Sequence, residues 1–186
     1  MMTLRQYIEK CMQNKQFAYY WEMDNLQLPE DGAEDVEEVP MTDDEIDDLM
    51  EALNITIDDV IKNHGVESTK GLDIVIKFYE IDSKCPVAEF LDEMSDQKLK
   101  EKTVKSIMQL SDLGKNARPP LSEYVGDGIY ELRTKQSSNI SRIFFYFIHG
   151  NDIIMTNGYI KKSQKMDSRE FKRAKQYRDE YSRRFN

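Results

Sequence analysis

The feature that most constrains this chain is a series of closely spaced, strand-like segments in its second half. Three such segments, about Gly128–Thr134, Asn139–Ile148 and Asp152–Asn157, follow one another closely, and His149-Gly150-Asn151 has the composition of a tight hairpin turn. Because short strands joined by short turns pair with their neighbours along the chain, this pattern predicts a meander of three antiparallel strands. An earlier alternating segment, Leu72–Phe78, predicts a further strand.

Helical patterns occupy the intervals between these strands. Pro86 stands where a first helical turn tolerates proline, and Ser95 is the predicted N-cap of a longer helix that ends near Gly114. A last amphipathic helix is predicted from about Asp167, with Phe171, Ala174, Tyr177 and Tyr181 facing inward. The order β-α-α-β-β-β-α predicts an α+β domain in which helices cover one face of a small, mostly antiparallel sheet.

The first part of the chain has a different character. Thr3 with Gln6 and Thr42 with Glu45 have the spacing of capping boxes, and the first of these predicts a helix that continues through the aromatic cluster Phe17–Trp21. Two short helices are predicted after Thr42 and Thr56. We therefore divide the chain into an acidic, mainly helical N-terminal extension, residues 1–66, and an α+β domain, residues 71–186.

The charge follows the same division. The whole chain has a net charge of −9, which taken alone argues against a nucleic-acid partner. Residues 1–70 contain five Lys/Arg against 18 Asp/Glu, whereas residues 71–186 contain 21 against 17, so that the two parts carry −13 and +4. This asymmetry suggests that the acidic extension contacts the basic domain within the same chain and neutralises it.

Several classes of protein are excluded or disfavoured. The longest apolar run, Ile143–Ile148, is far shorter than the roughly 20 residues of a membrane span, and two cysteines do not form a disulfide framework. We predict a cytoplasmic protein with no membrane partner. Two histidines give little basis for a catalytic triad or a metal site, and the acidic residues 43–48 lack the glycine and closing glutamate of a calcium loop. We predict no cofactor and no metal.

The basic domain contains a candidate site. Alternation places Glu131 and Arg133 on one face of their strand, and Arg142 lies on the neighbouring strand. A polar loop at 157–165 follows the last strand and carries Tyr159, Lys161, Lys162 and Lys165. If these groups converge at one sheet edge, they suit a phosphate, and Tyr159 suits stacking on a base. The alternative is an ordinary surface, with a Glu131–Arg133 ion pair and lysines that serve solubility.

A family resemblance favours the first interpretation. Three stretches, Asp127–Arg133, Ile140–Tyr146 and Asn157–Lys165, occur in the order and spacing of the RelE/HigB superfamily and most resemble its phage-derived, HigB-like toxins of type II toxin–antitoxin systems. The segments Lys84–Leu91 and Pro119–Leu121 and the arginine-rich final helix are similar to the same branch. The resemblance covers about residues 72–182 and implies a RelE-like domain.

The resemblance also implies a function. Such toxins are mRNA endoribonucleases that usually act on the ribosome without a metal and are held inactive by an antitoxin, here a HigA-like one. The ribose 2′-OH attacks the adjacent phosphate, a reaction that needs a base, an acid and cations. By position, Arg133 and Arg142 correspond to the phosphate-holding arginines, Tyr159 to a stacking or proton-transfer group, and Glu131 to a base or an orienter of arginine. Lys162 joins this catalytic group, and the implied RNA-binding residues are Lys161, Lys165 and Arg173.

A second hypothesis belongs to another class. The domain is then a non-catalytic RelE-like protein-interaction module, and the acidic extension recruits a partner or mimics nucleic acid. A minimal toxin of this family begins near Gly71, so the extension is an addition to it. Its first helix, Leu4–Lys10, has a faint similarity to a helix of HigA-like antitoxins.

Overall fold

A computed structural model of the chain describes residues 1–25, 42, 44–46, 74–148, 152–161 and 167–185. The chain divides into two compact units. The larger unit comprises Met1–Leu4 and Gly71–Asn186, and the smaller unit comprises Arg5–Lys70. None of the helices in these parts of the chain is both long enough and apolar enough to cross a membrane.

The beginning of the chain forms two helices, α1 (Leu4–Cys11) and α2 (Lys15–Asn25), where the sequence predicted one. The prediction of a continuous helix is wrong because Asn14 starts a new one: its side-chain oxygen accepts a hydrogen bond from the backbone N–H of Phe17, at 3.0 Å. The capping box at Thr42 is confirmed, since the Thr42 N–H donates to Glu45 Oε2 at 2.8 Å and the Glu45 N–H donates to Thr42 Oγ1 at 3.4 Å. The predicted helix after Thr56 and most of the one after Thr42 lie outside the described residues.

The larger unit contains five described strands and three further described α-helices. The strands are β1 (Ile76–Phe78), β2 (Ser122–Gly126), β3 (Ile129–Gln136), β4 (Asn139–Ile148) and β5 (Asp152–Ile160). The helices are α3 (Pro86–Asp92), α4 (Gln97–Leu113) and α5 (Ser168–Phe185). The sheet has the order β1-β5-β4-β3-β2, in which β1 and β5 are parallel and every other pair is antiparallel. The predicted α+β fold with a mostly antiparallel sheet is confirmed.

Three details of the sequence prediction are wrong. Strand β2 was predicted as loop, and it pairs with β3 through a register shift between Tyr124 and Gly126. Strand β5 continues through Tyr159, which was assigned to the loop that follows. The N-cap of α4 is Asp96 and not Ser95, because the side chain of Asp96 accepts a hydrogen bond from the Leu99 N–H at 2.9 Å.

The helices lie on both faces of the sheet, so the prediction of helices on a single face is also wrong. On one face, Thr103 of α4 hydrogen-bonds Ser141 of β4 at 2.7 Å between the hydroxyl oxygens. On the other face, Phe171 of α5 lies 5.8 Å from Phe144 of β4, ring centre to ring centre. The inward positions predicted for α5 are confirmed, since Ala174 and Tyr181 are buried and Phe171 and Tyr177 pack against the clusters around them.

The first residues of the chain lie along β1. The Phe78 N–H donates to the carbonyl oxygen of Met2 at 2.9 Å, and Thr3 pairs with Lys77 in an antiparallel bridge. Strand β1 therefore has a hydrogen-bonded neighbour on each side, β5 on one and Met2–Thr3 on the other. Four residues that the sequence assigned to the extension thus lie in the larger unit.

Candidate functional site

The register of three strands brings charged side chains into one row. Arg133 of β3 lies opposite Arg142 of β4, and Arg142 lies opposite Tyr159 of β5. Glu131 precedes Arg133 by two residues on β3, so both side chains point to the face that α5 covers. On β2, Glu123 lies opposite Glu131. These five residues, Glu123, Glu131, Arg133, Arg142 and Tyr159, form the Glu131 cluster.

Glu131 is the centre of this cluster and has no exposed surface. Arg142 Nη1 donates to both of its carboxylate oxygens, at 2.9 and 2.7 Å. Arg133 Nε donates to Oε2 at 2.9 Å, and the Tyr159 hydroxyl donates to Oε1 at 3.1 Å. A buried carboxylate is costly unless it is paired and hydrogen-bonded, and here three donors satisfy it. Glu131 therefore fixes the position of the two arginines beside each other.

Exposure rises from the centre of the cluster toward β2. The side chain of Arg142 is 7% exposed, that of Arg133 is 31% exposed and that of Glu123 is 44% exposed. Arg133 connects the two glutamates, because its Nε binds Glu131 and its Nη2 forms an ion pair with Glu123. Within the described part of the chain, the Nε of Arg142 is buried without a hydrogen-bond partner. The cluster thus has a buried end and an end that faces solvent.

The charges of the cluster balance as the protein stands. Two arginines face two glutamates, and the exposed pair Arg133–Glu123 is the more accessible of the two pairs to solvent and solutes. Arginine binds phosphate through two parallel N–H groups, as it binds a carboxylate. A phosphate group can therefore take the place that the Glu123 carboxylate occupies on Arg133.

Tyr159 keeps its proton at neutral pH. Burial raises the pKa of its hydroxyl, and the negative charge of Glu131 raises this pKa further. Its ring lies 5.7 Å from the ring of Phe144, so one part of it packs against the core. The hydroxyl therefore remains a hydrogen-bond donor beside the two arginines.

The other predicted residues have separate positions. Lys161 directly follows β5, and its backbone N–H donates to the carbonyl of Ile140 at 2.8 Å. Lys162 and Lys165 lie outside the described residues. Arg173 is exposed on α5 and donates to Glu170 at 3.2 Å, and Glu170 accepts from Asn157 Nδ2 at 2.9 Å. Arg173 is thus connected to β5 two residues before Tyr159.

Glu123 and Glu170 are the residues that sequence reasoning missed. Glu123 lies on the strand that was predicted as loop, and Glu170 contacts Asn157 through tertiary packing alone. The Glu131–Arg133 ion pair, which the ordinary-surface alternative predicted, is present, but its carboxylate is buried. No group of three or more His, Cys, Asp or Glu side chains in the described ranges is arranged to hold a metal ion. The roles assigned to these residues from sequence stay predictions.

A family model matches the part of the chain that contains the cluster. Residues 89–179 match the family described as Phage derived protein Gp49-like (DUF891). This is a family of RelE/HigB-like toxins. The match begins within α3 and ends within α5, so the Gp49-like segment includes all five residues of the Glu131 cluster. No curated protein matches the chain.

Proposed function

We propose that this protein is a toxin of the HigB-like branch that cleaves mRNA as an endoribonuclease. The observation that carries the proposal is the pair of adjacent arginines, Arg133 and Arg142, which the buried carboxylate of Glu131 holds beside the Tyr159 hydroxyl. The match of residues 89–179 to a toxin family supports the same function.

The proposed reaction uses these groups without a metal. The ribose 2′-oxygen attacks the adjacent phosphorus, and negative charge grows on the phosphoryl oxygens. Arg133 and Arg142 stabilise this charge, since cations fixed in advance are worth most in a partly buried site. Tyr159 is the proposed proton donor for the leaving 5′-oxygen, because its hydroxyl carries a proton at neutral pH and lies beside the two arginines on Glu131.

The RNA has further proposed contacts. Lys161, Lys162 and Lys165 extend the positive charge beyond the end of β5, and Arg173 adds to it from α5. Lysine and arginine contacts to phosphates contribute affinity that falls as salt increases. The proposed substrate is mRNA on the ribosome, and the proposed partner that holds the toxin inactive is a HigA-like antitoxin.

The test is cleavage of mRNA on translating ribosomes by the full chain. We expect Arg133→Ala and Arg142→Ala each to slow cleavage about 10²–10³-fold, as for the loss of one donor to a developing oxyanion. The matched control is Arg5→Ala, since Arg5 is an exposed arginine of α1 that pairs with Glu9. If wild type produces no cleavage, or if the variants cleave as fast as wild type, the proposed activity is wrong and the interaction-module hypothesis gains.

We also propose that the acidic part of the chain restrains the toxin in cis. The support is the division of charge, −13 in residues 1–70 against +4 in residues 71–186. Replacing the carboxylates of residues 30–59 with amides keeps the length of the chain and removes the charge. We expect the resulting variant to bind RNA more tightly and to arrest growth at lower expression. Equal toxicity of this variant and wild type contradicts the restraint.

A further inference from the structure

We propose that Glu123 is the general base of this ribonuclease and that Glu131 is a positioning residue. The inference rests on the proposed function and assigns one step of it. The sequence analysis assigned Glu131 as a base or an orienter of arginine, and it did not consider Glu123, which lies on a strand that it did not predict. The two carboxylates lie opposite each other on β3 and β2, and they differ in access and in hydrogen bonding.

Glu131 is poorly placed to accept a proton from a substrate. Its side chain has no exposed surface, and both of its oxygens already accept hydrogen bonds. A ribose hydroxyl reaches Glu131 only if Arg133 or Tyr159 leaves, and these are the groups that the phosphate and the leaving oxygen need. The hydrogen bonds of Glu131 therefore orient Arg133, Arg142 and Tyr159.

Glu123 has the opposite properties. It is 44% exposed, and Arg133 is its ion-pair partner among the residues that the structure describes. Arg133 is anchored through Nε to Glu131, so its Nη2 points to the solvent side of the cluster. A phosphate that binds at Nη2 displaces the Glu123 carboxylate from the guanidinium but leaves it adjacent to the bound phosphate. A ribose 2′-OH next to that phosphate then lies within reach of Glu123.

The step balances with groups that the protein and water supply. Glu123 takes the proton of the 2′-OH as the bond between the 2′-oxygen and phosphorus forms. The bond between phosphorus and the 5′-oxygen breaks, and this oxygen takes the proton of the Tyr159 hydroxyl. Water then returns a proton to Tyr159 and removes the one from Glu123. The products are a 2′,3′-cyclic phosphate and a free 5′-hydroxyl.

The experiment compares Glu123→Gln with wild type in the full chain, in single-turnover cleavage of ribosome-bound mRNA across pH. We expect Glu123→Gln to slow cleavage about 10²–10⁴-fold, the usual contribution of a general base. We expect it also to remove the fall in rate on the acidic side of the profile, and Glu123→Asp to retain part of the rate. The matched control is Asp179→Asn, which removes an exposed carboxylate paired with Arg178 on α5; it should leave rate and profile unchanged.

A second measurement separates the base from a structural role. Binding without reaction is measured with ribosomes whose mRNA has a 2′-deoxy nucleotide at the cleavage site, since this nucleotide lacks the attacking hydroxyl. Glu123→Gln should bind them at least as tightly as wild type does, because a competing negative charge has gone from Arg133, and its midpoint of thermal unfolding should fall by no more than the loss of one exposed ion pair allows. If Glu123→Gln loses binding and cleavage to the same extent, or if its rate still falls on the acidic side of the pH profile, Glu123 is not the base. The ribonuclease function stands in either case. Failure of wild type to cleave overturns both.

Discussion

Two clusters of the larger unit contain the same kinds of side chain but differ in which member is buried. In the Glu131 cluster the carboxylate is fully buried and an arginine faces solvent. In the second, the Glu180 cluster of Tyr79, Glu180 and Arg184, the tyrosine is fully buried and the carboxylate lies near the surface. The Tyr79 hydroxyl and Arg184 Nη2 both donate to Glu180 Oε2.

The difference shows what each cluster does. Arg184 also donates to the carbonyl oxygen of Glu80 at 2.8 Å, so the Glu180 cluster ties the end of α5 to the segment after β1. The one cation in this cluster as defined, Arg184, holds the helix in place. The Glu131 cluster has a second arginine and a second glutamate, and its outer ion pair is open to exchange with a solute. We interpret the Glu180 cluster as structural and the Glu131 cluster as a site.

The largest expected effect on stability separates the two carboxylates of the site. Glu131→Gln leaves Arg142 buried without a counter-charge, and we expect it to lower the free energy of unfolding by about 3–5 kcal/mol. Glu123→Gln breaks an exposed ion pair and should cost under about 1 kcal/mol. Urea unfolding followed by circular dichroism measures both. Similar costs for the two variants would mean that Glu131 is not the buried centre of the cluster.

A pair of tyrosine variants sharpens the comparison between the clusters. Tyr79→Phe and Tyr159→Phe each remove one hydrogen bond to a carboxylate, and each should cost about 1.5–3 kcal/mol of stability. Cleavage of ribosome-bound mRNA should be slowed only by Tyr159→Phe, because Tyr79 lies in the structural cluster. The distinction between site and structural cluster breaks down if both variants lose cleavage to the same extent.

The smallest expected effect concerns pH. Burial acts to raise the pKa of Glu180, but the hydrogen bonds from Tyr79 and Arg184 outweigh it, so that the pKa is lowered from its ordinary 4.5. The stability that this lowering contributes is present above pH 4.5 and is lost as the pH falls through the lowered pKa. Glu180→Gln should therefore reduce the loss in free energy of unfolding below pH 4.5, by under about 1 kcal/mol. Urea unfolding at several pH values measures this loss. The same acid dependence in wild type and variant contradicts this assignment.

The sequence predicted most of the larger unit but not the second side of its sheet. The strand-like composition of β3 and β4 and the proline of α3 were sufficient for those elements. The apolar run Ile143–Ile148 was used only to exclude a membrane span, yet a strand that is apolar at consecutive positions is typical of burial on both faces. That run could have predicted helices on both faces, with Ile143 and Phe145 toward one and Phe144 and Tyr146 toward the other.

The sequence predicted the part of the site on β3 and β4 but not the part on β2. Glu131, Arg133 and Arg142 follow from strand alternation and from the pairing of β3 with β4. Glu123 does not, because the short segment Ser122–Gly126 contains serine and glycine and pairs through an irregular register that depends on β3. The ion pair between Glu123 and Arg133 exists only after the sheet has formed.

The position of β1 has a consequence for the order of folding. Its two hydrogen-bonded neighbours, Met2–Thr3 and β5, are both distant from it along the chain, and its three residues have no hairpin partner of their own. Contacts between distant segments form slowly, because closing a long loop costs entropy before the contact is made. The meander of β3, β4 and β5 has only short connections and can form first. We therefore expect β1 to be the last strand that joins the sheet and the first that leaves it.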